Sequence, residues 1–236
     1  MTKPLLVLVT GDPVQAALRE SGTYVEMIQR TVGRHWTGAW LDVDLRSSSE
    51  LPEPSSVAGV IITGSASHVG DREPWVVSGL QYVARLVKAQ LPVLGICFGH
   101  QMLAEALGGR VGRNPRGREI GSVPIFDLQA CELLEPGEPR IVQTTHLDSV
   151  LELPPGARVV ARTEREANAL VQFAPRVWGT QFHPEMNGEI VRHYIEARRD
   201  VLAHEGFSYE ALLAALDHGV VGASVLPRFV QQYVAP

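Results

Sequence analysis

The chain has 236 residues, of which 45% are hydrophobic, and carries a formal net charge of -5. A chain of this length can bury one substantial core, so we expect residues 1–236 to form one domain. Its charges form no basic block and no apolar run approaches the roughly 20 residues that cross a bilayer, so we expect neither nucleic acid nor a membrane as a partner. The two cysteines, Cys97 and Cys131, do not indicate a disulfide framework, and we expect a cytoplasmic protein.

The first half of the chain alternates between strand-like and helix-like patterns. Apolar runs predict strands over residues 5–9, 57–63 and 92–96, and alternation of apolar and polar residues predicts a further strand over 40–45. Apolar residues at helical spacing predict helices over residues 23–32, 74–89 and 101–107. Strands that alternate with helices indicate an α/β fold with a mostly parallel sheet, in which ligands bind beyond the carboxyl ends of the strands.

Beyond residue 110 the apolar runs become shorter and alternate. They predict strands with an antiparallel component over residues 120–128, 140–144, 157–161, 169–173 and 177–182. From about residue 187 the pattern predicts a helical C-terminal extension, with helices over 187–203 and 209–216 and an amphipathic stretch at 229–234. We therefore expect a three-layer, doubly wound α/β fold with a mostly parallel central sheet and a small antiparallel portion.

Cys97 follows one of the predicted strands and lies between Gly95 and Gly99. This spacing is that of a nucleophile elbow, a strand-to-helix turn so tight that a Cβ at either flanking position would clash. The start of the following helix favours a thiolate, and its amides, chiefly that of Phe98, can bind an oxyanion. Alone, the pattern leaves two alternatives open, since lone cysteines are usually small buried hydrophobes and Gly-rich turns also bind phosphates.

His183 supplies a candidate base. It follows the apolar run at 177–182, and a histidine at the carboxyl end of a strand can face the same crevice as Cys97 if the two strands are neighbours. Glu185, two residues on in an extended segment, would point to the same side and accept the second N–H of His183. A His-Pro-Glu triplet that stood alone would more often be a surface turn.

Together, Gly-Ile-Cys-Phe-Gly-His-Gln at 95–101 and Gln-Phe-His-Pro-Glu at 181–185 resemble the class I (triad) glutamine amidotransferase family. The resemblance covers roughly residues 5–195, is strongest to stand-alone proteins similar to the glutaminase domain of GMP synthase, and implies a flavodoxin-like fold. It implies a catalytic triad of Cys97, His183 and Glu185. It further implies hydrolysis of glutamine through a γ-glutamyl thioester, with release of glutamate and ammonia and with neither a cofactor nor a metal.

The same resemblance implies further roles, two in an oxyanion hole and four in substrate binding: Gly64 and Phe98, and Gln101, Thr145, His146 and Leu147. The turn at Gly64 could also be an ordinary end of a strand, and His146 could equally be a core histidine. Thr145, His146 and Leu147 belong to residues 145–150, which resemble the family's His-containing substrate loop. The histidines outside the motifs and this loop are interpreted as surface or packing groups: His35, His68, His193, His204 and His218.

Three functions remain open at this point. A glutaminase would deliver ammonia to a separate synthetase or acceptor subunit, because nothing in the sequence resembles a phosphate-cradling loop. The loop at residues 63–69 differs from the Gly-Pro-Gly loop of the anthranilate and carbamoyl-phosphate enzymes of this family. It is more similar to the loop of the stand-alone proteins that resemble the glutaminase domain of GMP synthase, and some of those proteins act on γ-glutamyl peptides. A γ-glutamyl peptide hydrolase with the same triad is therefore the alternative. A catalytically silent subunit is the third, which the intact Cys97, His183 and Glu185 argue against.

Overall fold

The computed structural model of this chain describes residues 3–48, 50–127, 129–134, 140–217 and 222–234. Its strands, in chain order, are β1 (Leu5–Val9), β2 (Trp40–Asp44), β3 (Gly59–Ile62), β4 (Val93–Ile96), β5 (Arg110–Arg113), β6 (Glu119–Asp127), β7 (Arg140–His146), β8 (Asp148–Glu152), β9 (Arg158–Arg162), β10 (Leu170–Ala174) and β11 (Val177–Thr180).

The central sheet is nine-stranded, in the order β2-β1-β3-β4-β11-β10-β9-β6-β7. Its first part, from β2 to β11, is parallel throughout. The strands β10, β9, β6 and β7 continue it with antiparallel pairing, and β5 and β8 form a separate antiparallel pair. The predicted doubly wound sheet with an antiparallel portion is confirmed, and β11 is the strand at which the two parts join.

The helices, in chain order, are α1 (Gln15–Ser21), α2 (Tyr24–Val32), α3 (Pro74–Lys88), α4 (Phe98–Ala106), α5 (Gly188–Ala197), α6 (Arg199–His204), α7 (Tyr209–Ala214) and α8 (Val225–Phe229), followed by one wide helical turn at Val230–Val234. A capping box between Thr23 and Glu26 fixes the start of α2, and Pro74 occupies the first turn of α3. None of the helices in these ranges is long and apolar enough to span a bilayer.

The sheet is the middle of three layers, as the alternation along β1 shows. Leu5 and Val7 belong to a buried cluster with residues of α2 and α8, on one face of the sheet. Leu6 and Leu8 belong to a second cluster with residues of α3 and α4, on the other face. Because successive side chains of a strand point to opposite faces, a strand that is apolar at every position is covered on both sides, as predicted.

The structure differs from the sequence-based prediction in several places. The helix predicted from residue 101 begins at Phe98, directly after Cys97. The segment 145–150, predicted as a loop, is mostly strand, because β7 ends at His146 and β8 begins at Asp148. The predicted helix at 187–203 is broken at Arg198, where φ is -116°. Residue 128 of a predicted strand and His218 lie outside the described residues.

Candidate active site

Cys97 occupies a strained turn between β4 and α4, with φ 51° and ψ -99°. Its N–H donates to the carbonyl of Thr180 over 2.7 Å, which ties the turn to β11. A Cβ at Gly95 would collide with the backbone of Gly99, and a Cβ at Gly99 would lie 2.5 Å from the carbonyl oxygen of Ile62. The predicted elbow is therefore present, and a left-handed conformation that ordinary residues avoid holds the thiol out of the sheet.

His183 reaches the same edge of the sheet because its strand is the neighbour of the strand before Cys97. The strands β4 and β11 pair in parallel, with Ile96 opposite Thr180, so their carboxyl ends coincide. A Cβ built on Gly64 would lie 3.0 Å from His183 Cε1 and 3.8 Å from Cys97 Cβ, so the imidazole and the cysteine flank the same small space. The condition set by the sequence, that the two strands be neighbours, is met.

Glu185 holds the imidazole of His183 in one orientation. The two side chains are buried, and 2.7 Å separate His183 Nδ1 from Glu185 Oε1. Since a carboxylate accepts, Nδ1 donates. Burial lowers the pKa of His183, but Glu185 and Cys97 outweigh it and raise the pKa to about 10. The other nitrogen, Nε2, is buried and bonds to no other group in the described part of the chain.

The loop at Gly64 is held from behind by Thr10. The Thr10 hydroxyl donates to the carbonyl of Thr63 over 2.9 Å, and the N–H of Gly99 donates to that carbonyl over 3.2 Å. In a trans peptide the N–H of Gly64 points opposite to the Thr63 carbonyl, hence away from both donors. Phe98, the first residue of α4, has no carbonyl one turn before it within the helix to accept its N–H. Both predicted oxyanion donors thus flank Cys97.

Gln101 makes its hydrogen bonds within the protein. Its Nε2 donates to the carbonyl of Asp148 over 3.0 Å and to Gln181 Oε1 over 3.1 Å, and Gln181 Nε2 lies 3.4 Å from Cys97 Sγ. Gln181 was not predicted as a site residue, although it belongs to the motif at 181–185. Gln181 directly follows β11, and its position within that motif, two residues before His183, was the signal available in the sequence.

The comparisons with known proteins decide the family. A sequence profile of the family described as "Glutamine amidotransferase class-I" matches residues 18–198. The chain belongs to the class I glutamine amidotransferases. This confirms the resemblance inferred from the two motifs.

Two relatives illustrate the breadth of activities in this family. Gamma-glutamyl peptidase 5 of Arabidopsis thaliana is 32% identical over 202 residues, which cover 81% of this chain and 78% of the peptidase. The glutamine-hydrolysing GMP synthase of Aeropyrum pernix is 35% identical over 171 residues, which cover 72% of this chain but 29% of the synthase. A solved glutamine amidotransferase of Thermotoga maritima superposes with a TM-score of 0.77 at 22% identity, over 100% of both chains, which shows the shared fold.

A first cavity, of about 320 Å³, opens beside Cys97 and is lined by the predicted substrate residues. Gln101, Thr145, His146 and Leu147 all line it. His68, interpreted from the sequence as a surface or packing group, also lines this cavity, and its Nδ1 lies 2.7 Å from Asp148 Oδ2.

His146 uses both ring nitrogens inside the protein. Its Nδ1 lies 3.1 Å from the carbonyl of Asp148, and its Nε2 lies 3.3 Å from Glu119 Oε2. A carbonyl and a carboxylate both accept hydrogen bonds, so these contacts favour the doubly protonated ring of His146. Burial lowers the pKa of His146, but Glu119 and Glu166 outweigh that effect and raise it. Of the two interpretations left open, these contacts favour a core histidine that fixes the end of β7.

A second cavity, of about 280 Å³, also opens beside Cys97 and shares Ser65, Ala66 and Thr145 with the first. It contains His183 and the tyrosines Tyr24 and Tyr194, whose hydroxyls are 2.8 Å apart. The ring of Tyr24 stacks on His183, with 6.4 Å between the centroids. Arg198 lines both cavities. Cys97 therefore lines both cavities, of which the first contains Gln101 and Leu147 and the second contains His183.

Proposed function

We propose that this amidotransferase hydrolyses the side-chain amide of a γ-glutamyl compound, with glutamine as the simplest substrate. One observation carries the proposal. The Cys97 elbow and the buried His183–Glu185 pair lie side by side, because β4 and β11 are neighbours with their carboxyl ends at the same edge of the sheet. Cys97 is the nucleophile, His183 the general acid and base, and Glu185 the group that fixes the tautomer of His183. The reaction needs no cofactor in this mechanism.

The chemistry proceeds in two halves. Cys97 Sγ attacks the γ-carbonyl carbon, the C–N bond breaks, and the leaving nitrogen takes a proton from His183. Water, activated by His183, then hydrolyses the γ-glutamyl thioester to glutamate. In both halves the N–H groups of Gly64 and Phe98 stabilise the negative oxygen of the tetrahedral intermediate.

The first cavity holds the glutamyl group in this proposal. The backbone of Thr145 and Leu147 meets its amino-acid end, and Gln101 supports that surface by holding the Asp148 carbonyl. Asp148 Oδ1 is buried, accepts no hydrogen bond from the described groups and lies 3.6 Å from Arg113 Nε, so it can accept one from the α-ammonium of the substrate. His146 acts as a positioning residue behind Thr145 and Leu147.

With glutamine as substrate, the product ammonia passes to a synthetase on a separate chain. Residues 1–236 form one catalytic domain in this proposal, and the helices from about residue 187 complete it by placing Tyr194 and Arg198 at the site.

A γ-glutamyl peptide hydrolase is the second candidate function. The second cavity supports it, because that cavity lies on the side of His183, where the leaving nitrogen must receive its proton. An amide nitrogen that carries an amino acid or peptide would have room there.

The direct test is covalent labelling with 6-diazo-5-oxo-norleucine, followed by mass spectrometry of the intact protein and its peptides. We expect one label on Cys97, no label in Cys97→Ala, and unchanged labelling in the matched control Cys131→Ser. Glutamate release from glutamine and from γ-glutamyl dipeptides is measured in parallel. A protein whose Cys97 is reduced but takes no label, and which releases no glutamate, is a catalytically silent subunit.

A further inference from the structure

Arg198 is the feature of the site that the mechanism above leaves without a role. We propose that Arg198 binds the carboxylate of an amino-acid or peptide leaving group in the second cavity, so that the favoured substrates are γ-glutamyl peptides. This inference rests on the proposed function, since it concerns the other side of the same scissile amide. It goes beyond it by naming the substrate class and the residue that selects it.

The cations that line the two cavities differ in whether a carboxylate neutralises them. Arg118 forms a bidentate pair with Glu205, with distances of 2.8 and 3.1 Å. Arg113 and His68 lie 3.6 and 2.7 Å from oxygens of Asp148. Arg198 forms no ion pair with any acidic group in the described ranges, although it lines both cavities.

The surroundings of Arg198 hold it in place without neutralising it. Its guanidinium lies over the ring of Tyr194, 5.1 Å from the centroid, and Nη1 donates to the Tyr194 carbonyl over 3.5 Å. Burial lowers the pKa of the guanidinium; Tyr194 opposes this shift and Arg118 adds to it. A partly buried cation without a counter-charge is unfavourable, and the planar guanidinium fork fits a carboxylate best. The site is therefore matched to an anionic ligand.

The position of His183 decides which end of the substrate meets Arg198. The leaving nitrogen must face His183, so its substituent extends into the second cavity, away from Gln101 and Leu147 in the first. That cavity, of about 280 Å³, greatly exceeds the space that ammonia needs, which is roughly the 30 Å³ of a water molecule. An amino acid in this place would bring its own carboxylate to the guanidinium.

The proposed reaction consumes one water molecule and needs no other co-reactant. The thiolate of Cys97 forms a C–S bond as the γ-glutamyl C–N bond breaks, and the amine nitrogen leaves with a proton from His183. One water then cleaves the thioester, so that glutamate and a free amino acid or peptide are released.

The test compares γ-glutamyl-alanine with γ-glutamyl-alanine amide, which lacks only the carboxylate. We expect the wild-type kcat/KM to be about 10- to 100-fold higher for the acid than for the amide. In Arg198→Gln the acid should lose about that factor while the amide changes less than about threefold, and Arg198→Lys should restore part of the preference. The control is Arg199→Gln, because Arg199 stacks on Tyr209 at 4.5 Å, outside both cavities.

Each outcome has one meaning. A wild-type acid-to-amide ratio near one overturns the inference, whether or not the variants fold. Equal losses for both substrates in a folded Arg198→Gln also overturn it, since Arg198 would then bind the glutamyl carboxylate shared by both. Turnover of glutamine without turnover of peptides overturns the inference and leaves the proposed function standing. No labelling of Cys97 and no turnover of any γ-glutamyl compound means that the proposed function itself has failed.

Discussion

Two buried histidines of this protein each contact a glutamate, yet their surroundings differ. His183 pairs with Glu185 over 2.7 Å, and His146 pairs with Glu119 over 3.3 Å. In both cases burial opposes the positive charge, the carboxylate outweighs it, and the pKa of the histidine is raised.

The difference lies in the second ring nitrogen. In His146 it bonds to the carbonyl of Asp148, whereas in His183 it is left without a partner in the described structure, beside Cys97. A histidine with both nitrogens bonded holds two segments of chain together, and one with a free nitrogen can move a proton. A His–carboxylate pair is therefore evidence of a catalytic base only when the other nitrogen faces a reacting group.

The largest effect should come from removing the imidazole of His183, which carries the nitrogen without a partner. In His183→Ala we expect kcat for glutamate release to fall by about 10⁴-fold or more, because the imidazole that protonates the leaving nitrogen is removed. Circular dichroism would verify that the variant is folded at the assay temperature. A variant that kept a tenth of the wild-type rate would remove His183 from the mechanism.

A smaller effect should follow from changing only the orienting group. Glu185→Gln keeps the imidazole but not the negative charge, so we expect a weak residual rate, about 10²- to 10⁴-fold below the wild type. The pH dependence of kcat/KM should also change in this variant, because the charge of Glu185 raises the pKa of His183 and the variant lacks that charge. Full activity in this variant would exclude Glu185 from the triad.

The other pair should affect stability more than rate. His146→Gln leaves Glu119 buried without its cation, so we expect the free energy of unfolding to fall by about 2–4 kcal/mol. Urea denaturation would measure the loss, and His204→Gln, at an exposed histidine, is the matched control. A fall in kcat as large as that of His183→Ala, at unchanged stability, would contradict the distinction drawn between the two pairs.

The smallest effect is the pH dependence of that stability. The pKa of His146 is raised from 6.5 in the folded protein. Its contribution to the free energy of unfolding is therefore complete below pH 6.5 and is lost as the pH rises through the pKa of the folded state. The pKa of Glu119 is lowered: burial opposes the shift, but His146 and Thr163 outweigh it. Its contribution is therefore present above 4.5 and is lost as the pH falls. The stability difference between wild type and His146→Gln should peak between these values; a difference independent of pH would contradict this.

The sequence was informative about the parts of the site that local geometry dictates. Apolar runs located β4 and β11, and Gly95 and Gly99 marked the elbow, because a tight turn admits no Cβ at those positions. The side of Glu185 relative to His183 also followed from the two-residue spacing. These features depend on neighbouring residues in the chain, so sequence patterns report them.

Features that depend on distant segments escaped prediction. The strand β8 was missed because it begins with the polar residues Asp148 and Ser149, which are buried in the fold beside the cleft. The helix α4 was predicted to begin too late because the turn at Cys97, rather than a polar cap, starts it. Arg198 lies at the break between α5 and α6. No pattern in the neighbouring sequence predicts which cavity such an arginine will line.

The place of β11 in the sheet has a consequence for how activity is gained during folding. Gln181 and Cys97 are in contact although they are 84 positions apart in the chain, and β11 must enter between β4 and β10 before they meet. Contacts of such long range form late, because the loop between them must close first. In refolding experiments, helical structure should therefore return before the thiol becomes reactive, because the turn at Cys97 is completed only when β11, the last of the described strands along the chain, is in place.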